Sequence, residues 1–143
     1  MLRNVLKFDI ERRQLATHEL DCLEVSRQFS YHCFEASRYV ESLLLRLPQN
    51  PFLLGPGTVA EYKILSGHQR IKIIQNFMDD KIVLQDTIWL KALNGLSWSR
   101  LDPIDRNYFS LLSHDCFVTS AQGIDLSRLI TGLNLKFTNL EYE

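Results

Sequence analysis

Cysteine is scarce in this chain of 143 residues. Cys22, Cys33 and Cys116 are odd in number and far apart, and no C-x-x-C pair occurs. That argues against a disulfide framework and leads us to expect reduced thiols in a cytoplasmic protein. His18, His32, His68 and His114 are equally scattered, so no closed metal site is expected. Long apolar runs are missing too: nothing approaches a membrane span, and the first residues carry no apolar signal core. Neither charge sign dominates. Lys and Arg number 16 against 17 Asp and Glu, a formal net charge of −1, so no basic field argues for direct DNA binding. Repeats, low-complexity stretches, a P-loop, a dinucleotide fingerprint and a serine-hydrolase elbow are all absent from the sequence.

What is present is the composition of a globular protein, 45% hydrophobic and 23% charged. It suffices for one domain over residues 1–143 with a core of its own. The most informative stretch is 60–78. Tyr62 to Leu65 is apolar or β-branched apart from Lys63 and follows Gly55-Pro56-Gly57, which predicts a short strand. From Gly67 onward Ile71, Ile74 and Phe77/Met78 recur at helical spacing, which predicts an amphipathic helix. Between them lies Ser66-Gly67-His68-Gln69-Arg70. A strand turning through glycine into a helix offers backbone N–H groups and the positive end of the dipole to an anion. Arg70, one turn in, would add a planar donor fork.

Further elements follow from pattern. Leu2, Val5 and Leu6 suggest a short opening helix, and the mixed charges of residues 4–13 read as a solvated face. Residues 22–26 alternate like a strand. Tyr39, Val40, Leu43, Leu44 and Leu47 predict the buried face of a helix over 34–47, ended by Pro48, with Glu41 as the exposed neighbour of Val40. Strands are expected at 52–54, 81–84, 87–90 and 115–119. Asp102-Pro103 opens a helix whose buried face would be Ile104, Tyr108, Leu111 and Leu112. Asp125 would cap a short helix stopped by Gly132. Trp89 and Trp98 remain open as core residues or interface anchors.

The words carried by these elements add a family resemblance. I-L-S-G-H-Q-R-I-K-I-I is similar to the I-D-G-Q-Q-R-L-T-T-I block of domains with a ParB/sulfiredoxin-like fold, including the N-terminal part of GmrSD-type restriction enzymes. V-E-S-L-L-L-R-L-P-Q-N-P-F-L-L resembles that family's I-E-S-L-L-L-G-L-P-I-P-P-I-F-L. Residues 25–31 resemble F-Q-R-x-Y-x-W, residues 95–101 resemble its G-L-x-F-S-x-L-P connector, and L-S-R-L-I-T-G at 126–132 looks like F-x-R-I-N-T-G. The resemblance implies an α+β, ParB/sulfiredoxin-like domain: a small mixed sheet packed with amphipathic helices.

It also implies a phosphate or nucleotide site formed by Arg27, Ser66, Gly67, His68, Gln69, Arg70, Arg128, Thr131 and Gly132, with a nucleoside triphosphate and Mg as the ligand. Several polar motif positions are altered, however. Ser66 replaces the family's acid, His68 a Gln, Ser26 another Gln, and Ile130 the Asn. A hydroxyl is a far poorer partner for Mg²⁺ than a carboxylate. The expectation is therefore a retained anion cradle without hydrolysis and without a catalytic residue. His68 as a new general base has no Ser, Cys or acid partner assignable from the sequence. A stand-alone copy would act as a sensor or regulator in defence against foreign DNA, or as a phage counterpart. The alternative is a non-catalytic domain whose old pocket is filled and whose surface binds a protein partner or a second copy.

Overall fold

The structure, a computed structural model, describes residues 7–25 and 31–141, the side chains of Cys33 and of residues 133–141 excepted. The expected opening helix at Leu2, Val5 and Leu6 lies outside the described residues, as do Ser26 and Arg27.

Among the described residues four strands form one mixed sheet in the order β1-β4-β2-β3: β1 (Ile10–Ala16), β2 (Phe52–Pro56), β3 (Tyr62–Ser66) and β4 (Ser113–Thr119). β4 runs antiparallel to β1 and parallel to β2, and β2 runs antiparallel to β3. Phe52, Leu53 and Leu54 are all buried, because β2 is central and covered on both faces. Among the described residues five α-helices complete an α+β fold: α1 (Thr17–Leu20), α2 (Cys33–Leu44), α3 (His68–Met78), α4 (Pro103–Leu111) and α5 (Gly123–Glu141). The core gathers Leu20, Val40, Ile64, Ile71, Ile74 and Phe77 between sheet and helices. Phe77, Trp98 and Phe109 meet edge to face, with centroids 5.4 to 5.7 Å apart, so Trp98 belongs with the core.

Several sequence expectations are corrected. The charged run is solvated where it is described, as expected, but it ends in strand β1, whose Ile10 to Gln14 are exposed; an edge strand needs only its backbone to pair. Of the strand expected over 22–26, the described residues 22–25 contribute a single bridge, Glu24 to Lys63. α2 ends at Leu44 rather than at Pro48, because Arg46 turns to φ 58 and the chain leaves the helix. Residues 81–90 form no strand beyond one bridge from Val83 to Ser97. α4 begins as expected, with the Asp102 carboxylate accepting from the Ile104 N–H at 2.9 Å. It buries Phe109, however, while Ile104 and Leu111 are 76% and 60% exposed. α5 runs straight through Gly132 with no cap at Asp125. Among the described residues no helix is long and apolar enough to cross a membrane.

Candidate functional site

The turn from β3 to α3 has the expected shape. Gly67 sits in the left-handed region at φ 100 and ψ 24 as the N-cap of α3. What lies beneath it is not a hollow. A Cβ at Gly67 would stand 2.6 Å from Phe52 Cδ1 and 3.0 Å from Arg70 Nη2. The Arg70 guanidinium lies over the Phe52 ring, 4.3 Å from its centroid. Its Nη1 donates to the Asn50 carbonyl at 2.5 Å and its Nη2 reaches toward the Pro51 carbonyl at 3.4 Å. The fork thus holds the loop before β2 to α3.

The other expected site residues are placed as follows. Ser66, His68 and Gln69 share the turn and are half-buried, and the Gln69 amide donates to Glu35 at 3.2 Å. Arg128, Thr131 and Gly132 lie on α5, where Arg128 is exposed and the Thr131 hydroxyl donates to the Ser127 carbonyl at 2.9 Å within the helix. Ile130 is half-buried. Arg27 is outside the described residues. No three His, Cys, Asp or Glu side chains gather as metal ligands among the described residues. Ser66 supplies a neutral hydroxyl, a weaker Mg²⁺ ligand than a carboxylate. The donor set at this turn does not fit Mg²⁺.

A polar cluster lies on the inner side of Phe52. His114 is 5% exposed, and its Nε2 is 2.7 Å from the Thr17 hydroxyl. Burial and the nearby charge of Arg70 press its pKa down to about 4, so the ring is neutral. Burial likewise raises Cys116 to about 12, which makes its thiol inert. The Tyr39 hydroxyl is buried without a hydrogen-bond partner among the described residues, and burial lifts it to about 12.

The residues that sequence reasoning missed are carboxylates that clamp loops. Glu41 is 1% exposed, not the solvent-facing neighbour of Val40. Its two oxygens accept from the N–H groups of Ile88, Trp89 and Leu90 at 2.9, 2.8 and 2.7 Å. Burial opposes its charge, but those three bonds outweigh it and the carboxyl titrates below its ordinary value. One turn earlier on α2, Ser37 Oγ accepts from the Gln85 N–H at 3.0 Å. These side chains take the place of a neighbouring strand, which is why residues 85–90 do not extend a sheet. Glu24 does the same for residues 58–60: it accepts from the N–H of Val59 and, at 2.8 and 2.9 Å, from those of Thr58 and Ala60. Those bonds hold its pKa down at about 2. The only available signal was the acid at position 41 on an otherwise apolar helix stripe.

The Glu41 clamp has a visible product. It fixes the backbone of a loop tip that carries Ile88 and Trp89 outward, with Trp89 63% exposed. Compared with known protein families, curated proteins and solved structures, the chain has no match.

Proposed function

We propose that this protein is a non-catalytic interaction module that grips a protein partner, or a second copy of itself, through the loop tip bearing Ile88 and Trp89. One observation carries the reading: a large exposed aromatic stands on a backbone already fixed by a buried carboxylate. An ordered tryptophan loses little entropy on docking and contributes a large apolar area, the profile of an interface anchor. The altered motif positions support the absence of catalysis, since Ser66 cannot replace an acid. A reducing, cytoplasmic setting in defence against foreign DNA, or a phage counterpart to it, belongs to the same proposal.

A second reading, binding of a nucleotide or phosphate at Ser66 to Arg70, is favoured by the left-handed Gly67 between β3 and α3. Against it stands the engagement of Arg70 with the Asn50 and Pro51 carbonyls.

Two measurements separate the readings. Wild type and Trp89→Ala are compared by sedimentation over a concentration series and by capture from extracts of the source cells. Self-association, or a specific captured species, that is lost in the variant while its thermal midpoint holds supports the first reading. Identical behaviour of the two proteins ends it. Melting with a nucleotide panel tests the second, because a ligand at a hundred times its Kd stabilises by about 2.7 kcal/mol. A shift abolished by Arg70→Ala would establish that site.

A further inference from the structure

A half-open cavity of about 200 Å³ lies between the C-terminal end of α2 and the start of β4, with Phe52 in its wall. Much of its polar lining is already satisfied. Ser113 donates to Gln14 at 2.6 Å, Gln14 bonds Asp115, and Arg12 pairs with Asp115 at 3.3 Å. Three lining groups have no hydrogen-bond partner among the described residues: the Arg46 guanidinium, the Asn50 side-chain amide and the second ring nitrogen of His114.

The character of that nitrogen follows from the other one. The 2.7 Å contact between Thr17 Oγ1 and His114 Nε2 suits a hydroxyl donor better than a ring N–H donor, which would prefer about 2.9 to 3.0 Å. The competing acceptor, the Leu112 carbonyl, is 3.4 Å from that hydroxyl and already takes the Thr17 N–H at 3.0 Å. With Thr17 as the donor, the ring proton sits on Nδ1 and the unpartnered nitrogen is a donor, the tautomer that the proposal requires. Arg46 follows α2 at φ 58, and its guanidinium carbon lies 5.8 Å from the Tyr108 ring centroid, a contact that uses the face of the group and leaves its N–H edge without a hydrogen bond among the described residues. Arg70, bonded to the Asn50 carbonyl, adds positive potential from behind the wall, while the nearest acid, Asp115, is paired.

We propose that this cavity is a binding site for a small anion of phosphate or carboxylate size, with Arg46 as its counter-charge and the His114 Nδ1–H and the Asn50 amide as its neutral donors. The space is smaller than a typical drug or cofactor pocket of about 300 Å³ or more, so the group bound is a free anion or the charged end of something larger. The site is separate from the Trp89 tip; it adjoins the Gly67 turn through Phe52 and Asn50 but uses neither the turn's N–H groups nor the Arg70 fork as ligands.

The test is titration of the whole chain with inorganic phosphate at constant ionic strength, followed through the ring ¹⁵N resonances of His114. Saturable movement of those resonances is expected, weakened about tenfold or more by Arg46→Ala and unchanged by Arg128→Ala. Immobile His114 resonances, or equal affinity in the Arg46→Ala protein, overturn the proposal. So does a response that chloride reproduces. Phenyl phosphate and acetate form the second arm: tighter binding of the phenyl ester assigns the site to the end of a larger molecule, and tighter binding of phosphate or acetate to the free anion.

Discussion

Gly67 shows how one residue can satisfy a motif while the surroundings change its meaning. Its left-handed backbone is what a strand-to-helix phosphate turn requires, and that much was legible in S-G-H-Q-R. The missing Cβ, however, makes room for the Phe52 ring and the Arg70 guanidinium rather than for a ligand. Gly67→Ala should cost about 3 kcal/mol, from positive-φ strain together with overpacking against a buried ring. Denaturant unfolding would measure it, and a loss under about 1 kcal/mol would mean that Phe52 yields freely. Arg70 was legible as a donor fork, but not its acceptors. Two backbone carbonyls some 20 positions earlier in the chain become its neighbours only when β2 and α3 pack together.

At the scale of elements, helices with a clean apolar stripe were readable and loops were not. α3 buries Ile71, Ile74 and Phe77 as their spacing predicts. Residues 81–90 are apolar enough to suggest strands, yet the N–H groups of Gln85 and of Ile88, Trp89 and Leu90 go to Ser37 and Glu41 on α2. A local pattern contains no information about an acceptor more than 40 residues away. Glu41→Gln should therefore free residues 88–90 and cost about 2 kcal/mol, since an amide offers one acceptor oxygen and turns an N–H₂ toward further donors. Amide exchange at Ile88, Trp89 and Leu90 should accelerate while that of α3 stays slow. Unchanged exchange at those three amides would refute the clamp. If the Trp89 tip is the interface, the same variant should weaken partner binding without touching Trp89, because the tip would no longer be preorganised.

For the whole molecule, the buried and clamped titrating groups set a common dependence on pH. His114 has a folded pKa of about 4 against an ordinary 6.5, so its neutral burial contributes stability above 6.5 that is lost as the pH falls toward 4. The shift corresponds to about 3 kcal/mol. Glu24, at about 2 against 4.5, contributes stability above 4.5 that fades as the pH falls toward 2. Glu41 and Asp80 are displaced in the same direction, Asp80 by the N–H and hydroxyl of Ser99. Urea midpoints should thus decline in two stages on acidification, and His114→Gln should flatten only the stage that begins near 6.5. A wild-type midpoint level between pH 7 and 5 would contradict the burial of a neutral His114. By itself the sequence determined the strands β2 and β3 and the amphipathic helix that follows them, because each rests on a pattern contained within one segment. Only the tertiary structure decided that the arginine of the turn faces inward, that an acid on α2 is buried, that a polar charged run is an edge strand, and that Trp89 stands in solvent while Trp98 does not. Those outcomes depend on which distant backbone groups need a partner and on which surfaces are covered first, and neither is written in any single stretch of residues.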